Sequence, residues 1–423
     1  MGDFICYYWE IVYLCDYIND NEMITQEQIA GVIDSQWDVF LRKDTGLRRD
    51  ALNKLPVIET YATIVTGIRR CGKSTLLLQL LKERFSNAIY LNFEDTRLAG
   101  FEISDFARLG NEIIKRKINV LFFDEIQIVS GWEMFIHQKL NEGYQIFITG
   151  SNASLLSKEL GTHLTGRHIS CELFPFSYNE FISFKKLENN SDSLNDYLAH
   201  GGIPEYVKSG MGVILNNLMD DILIRDIAIR HSIRDVNSLR QLAVYLISNI
   251  GNLVSANKLE GMYGIKSSST ILEYFSYLKD SYLLEFIPQF NYSLKAQARN
   301  PKKIYAMDLG LFNENSTAFT DNTGHKLENA VFLYLRNKYP DIYYFKDKGE
   351  CDFIAMNKGK VQDVIQVCYK IEDTNFEREY NGLVEAMKYF NINKGTIVTF
   401  NQKDIFEEND LKIKMIPATE FLQ

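Results

Sequence analysis

The residues best suited to do chemistry lie together in Ile64-Val65-Thr66-Gly67-Ile68-Arg69-Arg70-Cys71-Gly72-Lys73-Ser74-Thr75. The spacing is G-x-x-x-x-G-K-S, a phosphate-binding loop, and it stands between a β-type apolar run (Ala62 to Val65) and a helix-like run (Leu76 to Leu81). Gly67 and Gly72 permit the tight turn that aims backbone N–H groups at phosphate oxygens. The helix that starts near Lys73 adds the positive end of its dipole. The whole stretch Gly67, Ile68, Arg69, Arg70, Cys71, Gly72, Lys73, Ser74 and Thr75 is therefore expected to bind a nucleotide, with ATP the implied ligand. Lys73 would reach the β- and γ-phosphates and Ser74 would ligate Mg²⁺, while Thr75 packs within the helix. Arg69 and Arg70 are further cations for phosphates or for a neighbouring subunit in an oligomer.

Other groups suit the same reaction. The apolar strand Asn119 to Phe123 delivers Asp124 and Glu125 at its end. A carboxylate there suits Mg²⁺, by Asp124, and Glu125 suits the general base that activates water. Ser151 and Asn152 follow the next apolar strand, Gln145 to Thr149. Asn152 can orient the attacking water, with helix capping as the competing role. Arg167, in Leu164-Thr165-Gly166-Arg167-His168, is a candidate guanidinium for transition-state charge, with a structural salt bridge as its alternative.

These residues need a scaffold, and the pattern around them alternates strand and helix. Strands are expected at Tyr61–Thr66, Asn87–Asn92, Asn119–Phe123, Gln145–Thr149 and Ile169–Phe174, with helices at Ile103–Lys117, Trp132–Glu142 and Tyr178–Lys185. Ligand groups at strand ends and fully apolar strands imply an α/β fold with an open, mostly parallel sheet. Ahead of it, Thr25 and Gln28 form a capping-box pattern for a helix to Leu41, and a basic lead-in, Arg42 to Arg49, could lie beside the base of a nucleotide. Residues 1–22 read as an extension, 23–185 as the nucleotide core and 186–235 as a helical lid, with a loop at Lys186–Asn195 and one long helix at Leu215–Ile229.

Residues 236–312 look like a winged helix. Helices are expected at Leu239–Ile250, Val254–Met262 and Ser268–Leu278, and wing strands at Leu283–Pro288 and Lys303–Met307. The third helix is poor in base-reading Arg, Asn and Gln, but Lys295, Arg299, Lys302 and Lys303 make the wing basic, which suits DNA phosphates. Contact with a protein partner is the alternative. A polar loop, Asn313–Gly324, then leads to a last α/β unit at 325–423, with a helix at Lys326–Lys338 and its last strand at Lys394–Thr399.

Composition narrows the class. With 423 residues, 46% hydrophobic and 24% charged, the chain is long enough for two or three globular domains. A net charge of −9 argues against nucleic-acid binding over the whole surface. The cysteines Cys6, Cys15, Cys71, Cys171, Cys351 and Cys368 show no CxxC spacing, so free thiols in the cytoplasm are expected. No run of about 18 uncharged apolar residues occurs, so no membrane span is expected.

Gly67–Thr75, Leu121–Glu125 and Thr149–Asn152 resemble the nucleotide motifs of AAA-type P-loop ATPases. The order that follows resembles a bacterial and archaeal group of them with a winged helix and a restriction-endonuclease-like domain. The resemblance implies ATP and Mg²⁺ as cofactors, and in active nuclease members a helix glutamate, a strand aspartate and an E-x-K sequence. Glu328 matches the first and Asp352 the second, but the third reads Gln366-Val367-Cys368, with Lys370 two residues further on. The resemblance therefore implies a degenerate nuclease, and an ATPase coupled to modules that recognise DNA or a protein partner. A DNA-processing nuclease and a slow nucleotide switch are the alternatives.

Overall fold

The computed structural model describes residues 24–152, 166–317, 322–408 and 410–423; the expected extension at 1–22 lies outside them. The first sheet has five parallel strands in the order β2-β3-β4-β1-β5: β1 (Ala62–Thr66), β2 (Ile89–Asn92), β3 (Val120–Asp124), β4 (Gln145–Gly150) and β5 (His168–Glu172). Every residue of β1 is buried, as a central parallel strand covered on both faces requires. Helix α1 (Gln26–Arg42) starts at the expected capping box, in which Thr25 Oγ1 accepts from the Gln28 N–H. It packs Phe40 flat against Tyr90 of β2, ring centroids 4.1 Å apart. Helices α2 (Lys73–Arg84), α3 (Asp105–Arg116) and α4 (Trp132–Asn141) connect the strands.

A helical unit follows: α5 (Tyr178–Lys185), α6 (Ser191–His200), α7 (Pro204–Ser209) and α8 (Val213–Asp221). Two expectations change here. The loop expected through Asn195 stops early, because Asn190 caps α6 by accepting from the N–H groups of Asp192 and Ser193. The single helix expected to Ile229 becomes α-helix to Asp221 and then an eight-residue π-helical segment, Ile222–Ile229.

The third unit contains α9 (Val236–Ile247), α10 (Ala256–Leu259) and α11 (Ser268–Asp280), with β6 (Leu253–Val254), β7 (Leu284–Pro288) and β8 (Lys302–Ala306) in an antiparallel sheet ordered β6-β8-β7. The strands β7 and β8 lie where the wing strands are expected, with a short helix α12 (Leu294–Arg299) between them.

Part of the polar loop expected after residue 312 is helix α13 (Leu309–Asn315). Its polar residues Asn313 and Glu314 read as loop, but Leu309, Leu311 and Phe312 are buried, and Asp308 caps it at the Leu311 N–H (3.0 Å). The last unit is a six-stranded mixed sheet, β13-β14-β12-β11-β10-β9, built from β9 (Asp341–Lys346), β10 (Glu350–Asn357), β11 (Lys360–Val367), β12 (Lys394–Thr399), β13 (Asp404–Glu408) and β14 (Leu411–Pro417). Helices α14 (Thr323–Lys338) and α15 (Phe376–Tyr389) complete it with a short C-terminal turn. β12 is thus not the last strand. The charged residues of the final hairpin hide a two-residue alternation in which Ile413 and Met415 are buried while Lys414 is exposed.

Helix α14 also packs against the three-stranded sheet. The side-chain amide of Asn329 accepts from the Ala306 N–H (2.8 Å) and donates to the Ala306 carbonyl (2.9 Å), all buried. Asn329→Leu strands both backbone groups, so it is expected to cost about 2 kcal/mol or more, read as a lowered denaturant midpoint.

Candidate functional site

The loop between β1 and α2 turns where the sequence requires. Gly67 has φ +148°, and a Cβ there would stand 2.1 Å from the Leu173 carbonyl oxygen; Gly72 has φ +100° and caps α2. Lys73 is buried and its Nζ donates to the carbonyls of Gly67 (2.9 Å) and Ile68 (3.0 Å). Ser74 Oγ donates to Asp124 Oδ2 at 2.6 Å. The parallel register lines up Asn92, Asp124 and Thr149 across β2, β3 and β4. Asp124 consequently accepts from the Tyr90 hydroxyl (2.8 Å) and from Thr149. These are hard oxygen donors at the mouth of a phosphate-type loop, and the pair Ser74 and Asp124 fits Mg²⁺.

Glu125 adopts a left-handed conformation, φ +56°, outside the usual range for its type. Its N–H donates to the Thr149 carbonyl (3.1 Å), and Gln127 donates to its carboxylate. Burial pushes the Glu125 carboxyl up to about 7, against the pull of Lys73. A carboxyl near neutrality suits proton transfer from water. Ser151 and Asn152 are buried at the end of β4, and Ser151 Oγ lies 3.4 Å from Asp226 Oδ1.

Arg69 and Arg70 meet acids of the helical unit. Arg69 Nε donates to the buried Asp226 of the π-helical segment (2.7 Å), and its guanidinium reaches Glu94 (3.2 Å). Arg70 lies 3.4 Å from Glu205 and 3.5 Å from Asp221. The resulting cleft, about 570 Å³, is lined by Lys73, Ser74, Asp124, Glu125, Asn92, Arg70 and, from the helical unit, Glu205, Asp221 and Arg225. It adjoins a more apolar hollow of about 270 Å³ bounded by Asp44 to Leu47, Gly72, Thr75, Phe176, Phe184, Pro204 and Lys208. Thr75 thus borders both. Cys71 is fully buried, and burial raises its thiol above the usual range, so it packs and does not react.

One expected site residue is elsewhere. Arg167 precedes β5 at the start of β1, where Ala62 is level with His168, whereas the loop follows the end of β1. Its guanidinium donates to Asn141 Oδ1 (2.5 Å) and the Thr60 carbonyl (3.2 Å). A strand of this length separates it from the loop by about 13 Å, so within one chain it cannot reach the γ-phosphate.

The three residues matched to a nuclease centre do converge. Lys303 Nζ lies 2.7 Å from Asp352 and 3.2 Å from Glu328, and Gln366 Oε1 accepts from the Asp352 N–H (3.2 Å). Lys303 is therefore buried and spent on carboxylates, contrary to its expected place on a basic, phosphate-binding wing. Lys370 lies past the end of β11 and pairs with Glu372 (2.7 Å), which removes it as a replacement for the missing lysine. Burial raises the Cys368 thiol to about 11.

Residues 59–182 match the AAA domain family, and residues 191–322 match a domain of unknown function, DUF8612. Uncharacterized protein MJ1544 of Methanocaldococcus jannaschii is 33% identical over 413 residues, 89% of this chain and 91% of that one. An uncharacterized protein of Haemophilus influenzae is 30% identical over 341 residues, 75% of this chain and 85% of that one. The chain belongs to their family. Its first sheet and loop form a P-loop AAA-type ATPase core. Against solved structures the global likeness is low: a signal transduction ATPase with a tetratricopeptide repeat sensor from Pyrococcus horikoshii gives a TM-score of 0.26 and 14% identity, covering 71% of this chain and 48% of that one. Among the described residues no helix is long and apolar enough to cross a membrane.

The sequence places Arg49 at the end of the basic lead-in. In the structure it is buried and braces the nucleotide loop: it donates to the Cys71 carbonyl (2.8 Å), the Phe174 carbonyl (2.7 Å) and both oxygens of Glu180 (2.9 and 3.2 Å). Glu180 is also the third residue of the Ser177 capping box, so its spacing carried a signal, though not its partner. Asp226, with Arg225 and Arg230, reads in the sequence as a charged helix face, whereas the structure buries it. Arg49→Ala leaves the Glu180 carboxylate buried without its guanidinium. It is expected to destabilise the chain by about 3–5 kcal/mol in denaturant unfolding and to weaken binding of a fluorescent ATP analogue.

Proposed function

We propose that the protein binds ATP with Mg²⁺ and hydrolyses it, and that its two C-terminal units recognise a partner. The observation that carries the reading is the 2.6 Å contact between Ser74 and Asp124 beside the buried Lys73, at the ends of parallel strands. Lys73 and the N–H groups of Gly67 to Thr75 hold the phosphates. The base lies in the apolar hollow against the lead-in and Phe176. Ser74 and Asp124 would hold Mg²⁺, which when bound neutralises phosphate charge. Glu125 takes the proton of the attacking water, and Asn152, at the end of the neighbouring strand, orients that water. Arg69 and Arg70, paired with Asp226, Glu205 and Asp221, join the loop to the helical unit.

Contacts between units support the coupling. Tyr282 shares a 2.8 Å hydrogen bond with Thr66, the residue before Gly67, and also donates to Glu172 of β5 (3.2 Å). Arg336 of α14 pairs with that same Glu172 (2.8 Å). The end of the strand that carries the loop thus touches the winged-helix-like unit, and the endonuclease-like unit is joined to the neighbouring strand. The burial of Lys303 removes a cation from the wing and favours a protein partner over DNA as the second reading, a slow switch acting through protein contacts.

The test is steady-state ATP hydrolysis with Mg²⁺, with and without DNA. Lys73→Ala is expected to lose nucleotide binding. Glu125→Gln is expected to keep binding and lose turnover by about 10²-fold or more. Wild-type turnover no higher than that of Glu125→Gln overturns the hydrolysis reading and leaves the switch. Stimulation by DNA restores DNA as the partner.

A further inference from the structure

The C-terminal carboxylates are arranged around a cation that belongs to another unit. Lys303 stands in β8 of the three-stranded sheet, level with Leu253 of β6 and Ile287 of β7. Its side chain leaves that sheet and ends among acids of the last unit: Asp352 Oδ1 at 2.7 Å, Glu350 Oε1 at 3.1 Å and Glu328 Oε1 at 3.2 Å. The ammonium has three protons and finds an oxygen for each. Of the oxygens that Lys303 leaves, Asp352 Oδ2 accepts from the Val367 N–H (2.9 Å) and Glu350 Oε2 pairs with Lys346 (3.1 Å), while the Tyr305 hydroxyl donates to Glu328 Oε1 (2.6 Å), the same oxygen that meets Lys303. Lys303 is 3% exposed, and Asp352 and Glu328 are 5% and 8% exposed.

We propose that Lys303 is the resident cation of this centre: its ammonium takes the position that a divalent metal would take among Glu328, Glu350 and Asp352, so the centre is an ionic latch between the two C-terminal units and not a metal-dependent hydrolytic site.

The argument is one of space and charge. A divalent cation held by oxygen sits about 2.0–2.6 Å from each ligand. A metal bound by Asp352 Oδ1, Glu328 Oε1 and Glu350 Oε1 would need the same three oxygens that the Nζ already approaches, so metal and ammonium compete for one set of ligands. Nor do the buried acids Asp352 and Glu328 stay ionised without a cation, because an unpaired carboxylate in this interior is strongly disfavoured. The local electrostatics agree: burial pulls the Lys303 ammonium down, but Asp352, Glu328, Tyr305 and Glu350 outweigh it and hold the ammonium well above the ordinary lysine value. The latch also secures α14, whose Glu328 meets Lys303 and whose Arg336 reaches Glu172 of the ATPase sheet.

The probe is Mn²⁺ with the full chain and no nucleotide, so failure of the ATPase reading leaves this test intact. Binding is followed by electron paramagnetic resonance and by thermal unfolding. The wild-type chain is expected to show no Mn²⁺ binding that depends on Asp352. Lys303→Ala is expected to unfold at lower temperature and to bind Mn²⁺ at least roughly tenfold tighter than wild type, with partial recovery of stability on addition of Mn²⁺. Lys303→Ala with Asp352→Asn is expected to lose that gain. Asp352-dependent Mn²⁺ binding in the wild-type chain, or no gain in Lys303→Ala, overturns the proposal. If Lys303→Ala does not fold, Lys303→Met is compared with the same variant carrying Glu328→Gln and Asp352→Asn. Recovery of stability in the combined variant supports charge compensation by Lys303, and a further loss refutes it.

Discussion

A buried ammonium and a buried carboxylate, Lys73 and Asp124, face the same cleft, and neither is tolerable there without partners that replace water. Much of the local architecture answers that need. Gly67 lets the backbone pass against Leu173 and presents its own carbonyl to Lys73. The parallel register brings Tyr90 and Thr149 to the two oxygens of Asp124. Arg49 then holds the loop from behind, through carbonyls of Cys71 and Phe174, and is itself neutralised by Glu180. Each of the two charges thus has its partners within the protein, Lys73 on the loop carbonyls and Asp124 on the hydroxyls of Ser74, Tyr90 and Thr149.

The same rule organises the C-terminal part of the chain. Three carboxylates converge, and the charge that makes them tolerable comes from a different unit. Such an interaction is weak evidence of net stability, because desolvation offsets much of the Coulomb gain, whereas removing one partner leaves the others buried without compensation. Asn329 adds a second specific contact in the same place, an amide that pairs with both backbone groups of Ala306. Helix α14 joins three parts of the chain, through Glu328, Asn329 and Arg336, and Tyr282 touches the strand that enters the nucleotide loop. The ATPase core and the C-terminal units are thus joined by polar contacts of fixed geometry.

Local patterns were sufficient wherever the chemistry is encoded by neighbours in sequence. The loop, the strand ending in Asp124 and Glu125, the capping box at Thr25, and the strands β7 and β8 all follow from spacing and apolar run length. Patterns misled where a polar surface disguised a buried face. Helix α13 was hidden by Asn313 and Glu314, and the hairpin β13–β14 by its charges. The π-helical segment is a change of hydrogen-bond register that composition does not encode.

The sequence by itself determined the phosphate-type loop of the AAA core: two glycines, a lysine and a serine at set intervals, and an acidic pair after an apolar strand, because backbone turn and residue type are local properties. Tertiary structure decided which charges meet. Arg167 was excluded from the cleft by the direction of β1 and β5, since residues level at the start of a strand are far from its end. Arg49 was brought to the loop by contacts spanning more than a hundred residues, and Lys303 was removed from the surface by packing of one sheet against another unit. Electrostatic partners are chosen by distance in space, and no one-dimensional spacing records that distance.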